Sequence, residues 1–283
     1  MKEILRTRDL SHIYSPDTPF EHKALDGINM TLFSGEFVGI IGHTGSGKST
    51  FIQHLNGLLT KTSGQVLYEG VDIDTDAQKR KALRFSVGLV FQYPEYQLFE
   101  ETVAQDIAFG PKNMGLSAEE TEARVHYAAQ LVGLSETELK KSPFLLSGGQ
   151  KRRAAIAGVL AMRPKVLILD EPTAGLDPKG REEILKHIET YQKEQGASIV
   201  MVSHNMEEIA RLADRIIVFA AGKIALEGTA KEVFAERERL RCIGLDLPEV
   251  TEIAAHLRMA GLSLPEDIFT VDTLAKAILA QKK

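Results

Sequence analysis

The chain has 283 residues, 43% hydrophobic and 26% charged, a globular balance that supplies one sizeable core and a small appendage. Its 34 Lys and Arg stand against 39 Asp and Glu, a formal net charge of -5, so it lacks the positive field of a non-specific nucleic-acid binder and no nucleic acid is expected as a partner. A single cysteine, Cys242, excludes an intrachain disulfide and a Cys-rich zinc site, and reads as a small packing residue.

The start, Met1-Lys2-Glu3-Ile4-Leu5-Arg6, alternates charged and apolar residues without the continuous apolar stretch of a secretory signal, so cytoplasm is the expected compartment. Residues 1 to about 40 read as short strands broken by turns, with Ser15-Pro16-Asp17-Thr18-Pro19 the first loop, and predict a small antiparallel sheet. From Glu36 the pattern changes to a buried strand, Phe37-Val38-Gly39-Ile40-Ile41, then a Gly-rich turn, then an amphipathic helix carrying Phe51, Ile52, Leu55 and Leu58. Further strands are predicted at 87–91, 166–169, 199–202 and 216–221, and helices around 119–132 and over 179–195. The apolar runs among these are far too short to cross a membrane. Their alternation predicts a mostly parallel sheet with helices packed on it. Beyond about residue 235 the charge run Glu236-Arg237-Glu238-Arg239 reads as a solvated helix face. Two short amphipathic helices follow, 248–260 with Val250, Ile253 and Leu257, and 272–280 with Leu274 and Ile278, separated by a stop at Gly261. A tail this short buries little core alone and must dock on the main domain or on another chain.

Gly42-His43-Thr44-Gly45-Ser46-Gly47-Lys48-Ser49, with Thr50 after it, matches the glycine, four variable residues, glycine, lysine, serine pattern of a phosphate loop, with the required strand before and helix after. Glycines let the backbone curl until successive N–H groups face phosphate oxygens, and the helix adds its positive N-terminal end. In such a loop Lys48 reaches the β- and γ-phosphates of ATP, and the Ser49 hydroxyl ligates Mg²⁺. Val166-Leu167-Ile168-Leu169-Asp170-Glu171 delivers two carboxylates to the end of a buried strand, where parallel sheets bind ligands. Asp170 is expected to hold Mg²⁺ and Glu171 to act as general base toward the attacking water; taken alone, the pair before Pro172 reads equally well as a strand-ending turn. The triplet Asp72, Asp74 and Asp76 lacks the Gly and Glu of a calcium loop and reads as a solvated turn.

Leu146-Ser147-Gly148-Gly149-Gln150, followed by Lys151-Arg152-Arg153, resembles the signature of the ABC ATPases. Physically it is a second anion site, a serine N-cap and two glycines leaving backbone N–H groups free at a helix start. The resemblance covers residues 1 to about 235 and implies an α/β P-loop NTPase of ABC type: a mostly parallel sheet core, an N-terminal antiparallel β subdomain, a helical subdomain over about 93–162, and a small α-helical extension over 236–283. It implies that Ser147 meets the γ-phosphate of ATP held by the opposite subunit, so that a lone chain is an incomplete catalyst. By the same resemblance Gln92 senses Mg²⁺ and water, Asp177 lies between subunits, and His204 hydrogen-bonds the γ-phosphate. Tyr14 falls where the family keeps an adenine-stacking ring, and a core tyrosine remains the other reading.

The stretch Phe91-Gln92-Tyr93-Pro94-Glu95-Tyr96-Gln97-Leu98-Phe99, then Asp106-Ile107-Ala108-Phe109-Gly110-Pro111, and the tail motifs around Leu247-Pro248 and Gly261-Leu262, resemble the ATPases of energy-coupling factor importers. Gly149-Gln150-Lys151-Arg152-Arg153 looks more like the second than the first of that group's paired ATPases. The resemblance implies a second ATPase as partner, a heterodimer before a homodimer, with a transmembrane coupling protein and a substrate-capture membrane protein at the cytoplasmic face of the cell membrane. Its cargo would be vitamins, other micronutrients or cobalt and nickel ions. Tyr93, Glu95, Tyr96 and Phe99 would line or border the groove for the coupling protein, or simply pack their own loop. The extension would help hold the two ATPases together. ATPases of other ABC importers or exporters, and soluble ABC proteins of DNA repair or translation, share the five motifs; residues 91–113 and the tail speak against the first, and the lack of coiled coils, zinc hooks or basic arms against the second.

Overall fold

The structure, a computed structural model, describes residues 2–280; Met1, which opens the charged–apolar alternation, and residues 281–283, with which the expected extension ends, lie outside the described residues. Strands β1 (Glu3–Tyr14) and β2 (His22–Phe33) form an antiparallel hairpin around the 15–20 turn, as its Ser, Pro and Asp residues predict. The central strand β3 (Phe37–Gly42) runs into the phosphate loop, and helix α1 (Lys48–Leu55) follows. Next come β4 (Ser63–Tyr68), β5 (Val71–Asp72), α2 (Ala77–Ser86) and β6 (Val87–Val90). Four helices then depart from the sheet: α3 (Val103–Asn113), α4 (Ala118–Leu131), α5 (Glu136–Leu139) and α6 (Gly148–Leu160). The chain returns through β7 (Val166–Asp170), α7 (Pro178–Gln195), β8 (Ser198–Val202), α8 (Met206–Leu212), β9 (Arg215–Ala220) and β10 (Lys223–Gly228). It closes with α9 (Ala230–Ala235), α10 (Arg237–Cys242), α11 (Glu249–Met259) and α12 (Val271–Ala280).

Two sheets result. The smaller, ordered β2-β1-β4-β5, is antiparallel; the larger, ordered β10-β9-β3-β8-β7-β6, is parallel except for its edge strand β10. Both faces of the larger sheet are covered, so its strands read as unbroken apolar runs in sequence. The pleat sorts them by parity. Ile41, Leu167, Leu169, Ile199, Met201, Ile216 and Val218 face the cluster built with α6 and α7, whereas Val38, Ile40, Ile168, Val200, Val202, Ile217 and Phe219 face α1 and the small sheet.

Helix α1 is shorter than expected. It ends at Leu55 because Asn56 turns its side-chain amide onto the carbonyl of Val87 and Gly57 takes a positive φ of 69°, which leaves Leu58 exposed beyond the helix. The aspartate triplet is solvated, with Asp74 and Asp76 exposed, and it is also used: Asp72 and Asp76 cap short helices, and Lys61 reaches both Asp72 and Asp74. In the tail the buried face rotates from Ile253, which is exposed, to Ala254, which packs with Val250, Leu264, Ile268 and Leu274 in a small separate cluster. Leu240, Leu245 and Leu247 belong instead to the main core, and Phe269 stacks at 5.4 Å on Phe234. Among the described residues no helix is long and apolar enough to cross a membrane.

Candidate functional site

Strands β3, β8, β7 and β6 lie side by side, and the loops leaving their C-terminal ends carry in turn the phosphate loop, His204, the Asp170–Glu171 pair and Gln92. Four segments far apart in sequence are thus brought to the sheet edge where parallel sheets bind ligands. Residues Tyr14, Thr44, Gly45, Gly47, Lys48, Ser49, Thr50, Gln92, Glu171 and His204 line one open cavity of about 370 Å³, together with His22 and Ala24.

Two glycines of the phosphate loop are dictated by space as well as by φ. A Cβ on Gly42 (φ 155°) would come within 2.5 Å of the Phe219 carbonyl oxygen, and one on Gly47 (φ 104°) within 2.5 Å of that of Ala24. Lys48 is buried, and its ammonium donates to the carbonyls of Gly42 at 2.6 Å and His43 at 2.9 Å. Burial pushes its pKa down, against the opposing pull of Glu171 and Asp170. The His43 and Thr44 side chains are exposed, and Ser46 is fully buried beneath the loop.

The consecutive carboxylates of β7 have different surroundings. Asp170 is buried, accepts a hydrogen bond from the Ser49 hydroxyl, and is pushed above the usual carboxylate range by burial. Glu171 leaves the strand with φ 49°, a left-handed conformation that costs a non-glycine residue about 1 kcal/mol. Its N–H bonds the Val202 carbonyl at 2.9 Å, and its own carbonyl accepts from Ala174 at 3.1 Å. The turn lets the carboxylate accept from Gln92 Nε2 at 2.9 Å and sets it 2.8 Å from His204 Nε2. Gln92 thus meets Glu171 directly.

Tyr14 is half-exposed at the cavity rim, its hydroxyl 3.2 Å from that of Thr50 and its ring edge-on to His12 at 4.4 Å. A flat face at that position is available to a base. Ser147 caps α6 in a reciprocal box: its hydroxyl accepts from Gln150 N at 3.3 Å, and the Gln150 side chain accepts from Ser147 N at 2.8 Å. Gly148 and Gly149 have almost nothing around them. Asp177 caps α7, accepting from Gly180 N at 2.7 Å, and its side chain is exposed. Ser147, Gly148, Gly149, Gln150 and Asp177 do not line the cavity of the phosphate loop; within one chain they stand apart from it.

Several polar contacts around the site were not evident from the sequence. Glu95, expected at the surface groove, turns inward and grips the buried Arg152 of α6 at 2.7 and 3.0 Å; Arg152 also donates to the Ala174 carbonyl at 2.5 Å. Phe99 does line a groove of about 420 Å³ with Leu98, Phe109 and Gly158, above Asp106, whose carboxylate accepts from Phe99 N and Glu100 N. Gln150 Nε2 donates to Glu138 at 2.5 Å. Asp106 alone had a local hint, an acidic residue among the apolar neighbours of 103–109.

A strand-end carboxylate beside a phosphate loop is common to P-loop ATPases; with the Ser147–Gln150 turn that opens α6, this fold and site are those of the ABC-type ATPases. The family model described as "ABC transporter" matches residues 25–174, and one described as "AAA domain, putative AbiEii toxin, Type IV TA system" matches residues 139–210. The energy-coupling factor transporter ATP-binding protein EcfA2 of Clostridium perfringens is 57% identical over 276 residues, 97% of each chain. The solved structure of cbiO1 from Clostridium perfringens, described as part of the ABC transporter complex cbiONQ, superposes with a TM-score of 0.76 at 43% identity, covering 92% of this chain and all of that one. The ATP-binding cassette MJ0796, solved as a dimer bound to ADP and Pi, superposes with a TM-score of 0.73 at 28% identity, covering 80% of this chain and 99% of that one. The chain belongs to the energy-coupling factor transporter ATP-binding proteins, a branch of the ABC ATPases.

Proposed function

We propose that this chain binds ATP across the phosphate loop and Tyr14, and hydrolyses it with Glu171 as general base, to energise an importer of vitamins, other micronutrients or cobalt and nickel ions. The observation that carries the reading is Glu171 held between Gln92 and His204 at hydrogen-bond distance, beside a phosphate loop. Phosphoryl transfer to water depends on positioning and charge neutralisation more than on covalent chemistry. Lys48 would exchange its carbonyl partners for phosphate oxygens. Glu171 would orient the attacking water and take its proton, with His204 and Gln92 fixing the carboxylate's direction.

The residues fit Mg²⁺. Asp170 is a buried carboxylate raised by burial and bonded to the Ser49 hydroxyl, a hard oxygen pair of the kind this ion takes. Among the described residues there is no cluster of three or more His, Cys, Asp or Glu, and Mg²⁺ at a phosphate site needs none, because phosphate and water complete its shell. Asp170 and Ser49 would hold it, with Gln92 nearby; when bound it supplies charge neutralisation at the β- and γ-phosphates.

The exposed Ser147–Gln150 turn and Asp177 favour a two-chain sandwich in which each signature turn completes the other chain's ATP site, with a second energy-coupling factor ATPase as the partner. Residues 1–235 would form the ATPase unit, with a helical subdomain over about 93–162, and 236–283 a dimerisation element. The groove beside Phe99 would receive a transmembrane coupling protein, itself joined to a substrate-capture membrane protein, so that the chain works at the cytoplasmic face of the membrane. The test is affinity purification of the tagged chain from solubilised membranes. Recovery with a second ATPase and small hydrophobic proteins, and MgATP hydrolysis by the assembly, is the expected result; recovery only with ribosomes or DNA would overturn the reading.

A further inference from the structure

The two loops that bring Glu171 and His204 together are tied behind the site by a carboxylate outside the reaction. Glu208, in the first turn of α8, is 7% exposed. Its Oε2 accepts hydrogen bonds from Thr173 Oγ1 at 2.9 Å and from Ser203 Oγ at 3.2 Å. Thr173 lies two residues beyond Glu171, and Ser203 immediately precedes His204. Ser203 Oγ itself accepts from Asn205 N at 3.0 Å, so its proton is committed to Glu208. Asn205 caps α8 through its Oδ1 and sets its Nδ2 3.4 Å from the other Glu208 oxygen. Thr173 and Ser203 are both at most 5% exposed, and both hydroxyls converge on the one Glu208 oxygen.

Burying a carboxylate is costly, and burial here pushes its pKa upward while the two hydroxyls pull it back. An apolar side chain would fill the same volume without that cost. It would also leave the two hydroxyls without their carboxylate, and the two loops joined by backbone contacts such as Glu171 N to Val202 O and by the Glu171–His204 contact alone.

We infer that Glu208 is a positioning residue, holding the Thr173 and Ser203 hydroxyls in one carboxylate so that Glu171 and His204 keep their mutual geometry during hydrolysis. The inference rests on the reading of Glu171 as the base. Glu208 lies outside the cavity of the phosphate loop and acts through the loops that carry Glu171 and His204.

The test compares Glu208→Ala, Glu208→Gln, Thr173→Val and Ser203→Ala in the assembled transporter, with Glu171→Gln as the reference. A Gln carbonyl oxygen accepts both hydroxyl bonds, so Glu208→Gln should keep kcat within about threefold of the parent, whereas Glu208→Ala should lose about tenfold or more with KM for ATP within about twofold. A purely structural role predicts a lower melting temperature with unchanged kcat below it, and that result overturns the inference. Equal losses in the Gln and Ala variants would also overturn it, since they would implicate the charge rather than the hydrogen bonds. If Glu208→Ala does not fold, the hydroxyl variants decide. Each should lower kcat, and the double variant should fall short of the product of the single effects, because both act through one carboxylate. Multiplicative effects, or none, sink the idea. Unimpaired Glu171→Gln would defeat the underlying reading; inactive Glu171→Gln beside fully active Glu208→Ala would defeat this inference alone.

Discussion

The Glu171 carboxylate meets His204 Nε2 at 2.8 Å through one oxygen and Gln92 Nε2 at 2.9 Å through the other. Both oxygens are therefore aimed before any substrate arrives, by side chains from two different strand ends. Glu171→Gln keeps the shape but removes the base, so turnover of saturating MgATP should fall about 10²- to 10⁴-fold while nucleotide affinity holds. Phosphate release and fluorescent-nucleotide titration measure the two quantities separately. Parallel loss of affinity would mean that Glu171 is part of the binding cradle instead.

Beneath Tyr14 lie two buried imidazoles, His12 and His54, with ring centroids 4.7 Å apart. Each pKa is lowered from 6.5, chiefly by burial, and each ring has its Nδ1 on a backbone carbonyl. Lowered values mean that the folded state holds these protons less tightly than the unfolded chain does. The contribution to stability is therefore complete above the unfolded value of 6.5 and is lost as pH falls through it toward the depressed folded values. The melting temperature should fall between pH 7 and pH 5 more steeply in the parent than in His54→Gln. Identical slopes would show that the pair does not titrate in that window.

The chemistry of the site was legible where it is coded in backbone geometry. The phosphate loop, the acidic end of β7 and the capping box at Ser147 are local patterns whose residues act through their own turns. Pairings between distant segments were not. Glu95 read either as a groove residue or as packing in its own loop, because nothing near it in sequence offers a buried guanidinium, and Arg152 stands 57 positions away. Nothing near Glu208 in sequence marks it, since the register of β7 beside β8 is what brings Thr173 to it. The overrun of α1 to Leu58 had a readable signal, the Asn56-Gly57 stop, that the apolar period masked. In α11 the exposed Ile253 and buried Ala254 follow from contacts with Leu264, Ile268 and Leu274, which a helical period alone does not contain.

The Glu95–Arg152 pair joins the segment after Gln92 to the signature helix. Arg152 has 3% of its side chain exposed, so Glu95→Ala would strand a buried cation with carbonyls and the Tyr93 ring, 5.5 Å away, as its remaining partners. Breaking such a pair from one side costs about 3–5 kcal/mol, and the remaining carbonyl bonds place this case at the lower end. Replacing both with Glu95→Leu and Arg152→Met should cost less than the single change. Urea unfolding of the parent and the two variants measures this, and a negligible loss in Glu95→Ala would mean that Arg152 is satisfied without its carboxylate.

The extension divides into a part that belongs to the main core and a part that does not, and this decides where a truncation is informative. Removing residues 240–283 takes out Leu240, Leu245 and Leu247, each worth about 1.5–3 kcal/mol of burial, so its effect on pairing would be confounded by loss of stability. A cut that removes residues 249–283 spares all three and deletes α11 and α12 with their own cluster. What it severs from the rest is small: Phe269 on Phe234, the Val271 N–H to Glu207, and the exposed Arg241–Glu252 pair at 2.8 Å. The two helices also present Ile253, Met259, Val271 and Leu279 to solvent, apolar surface that gains by being covered. If the extension holds the ATPases together, this shorter truncation should leave nucleotide affinity within about twofold and the melting temperature within a few degrees, while weakening association about tenfold or more. Sedimentation of the Glu171→Gln chain with its partner ATPase in MgATP reads the association directly. Unaltered association would place the pairing interface wholly in the ATPase core and leave α11 and α12 with another partner.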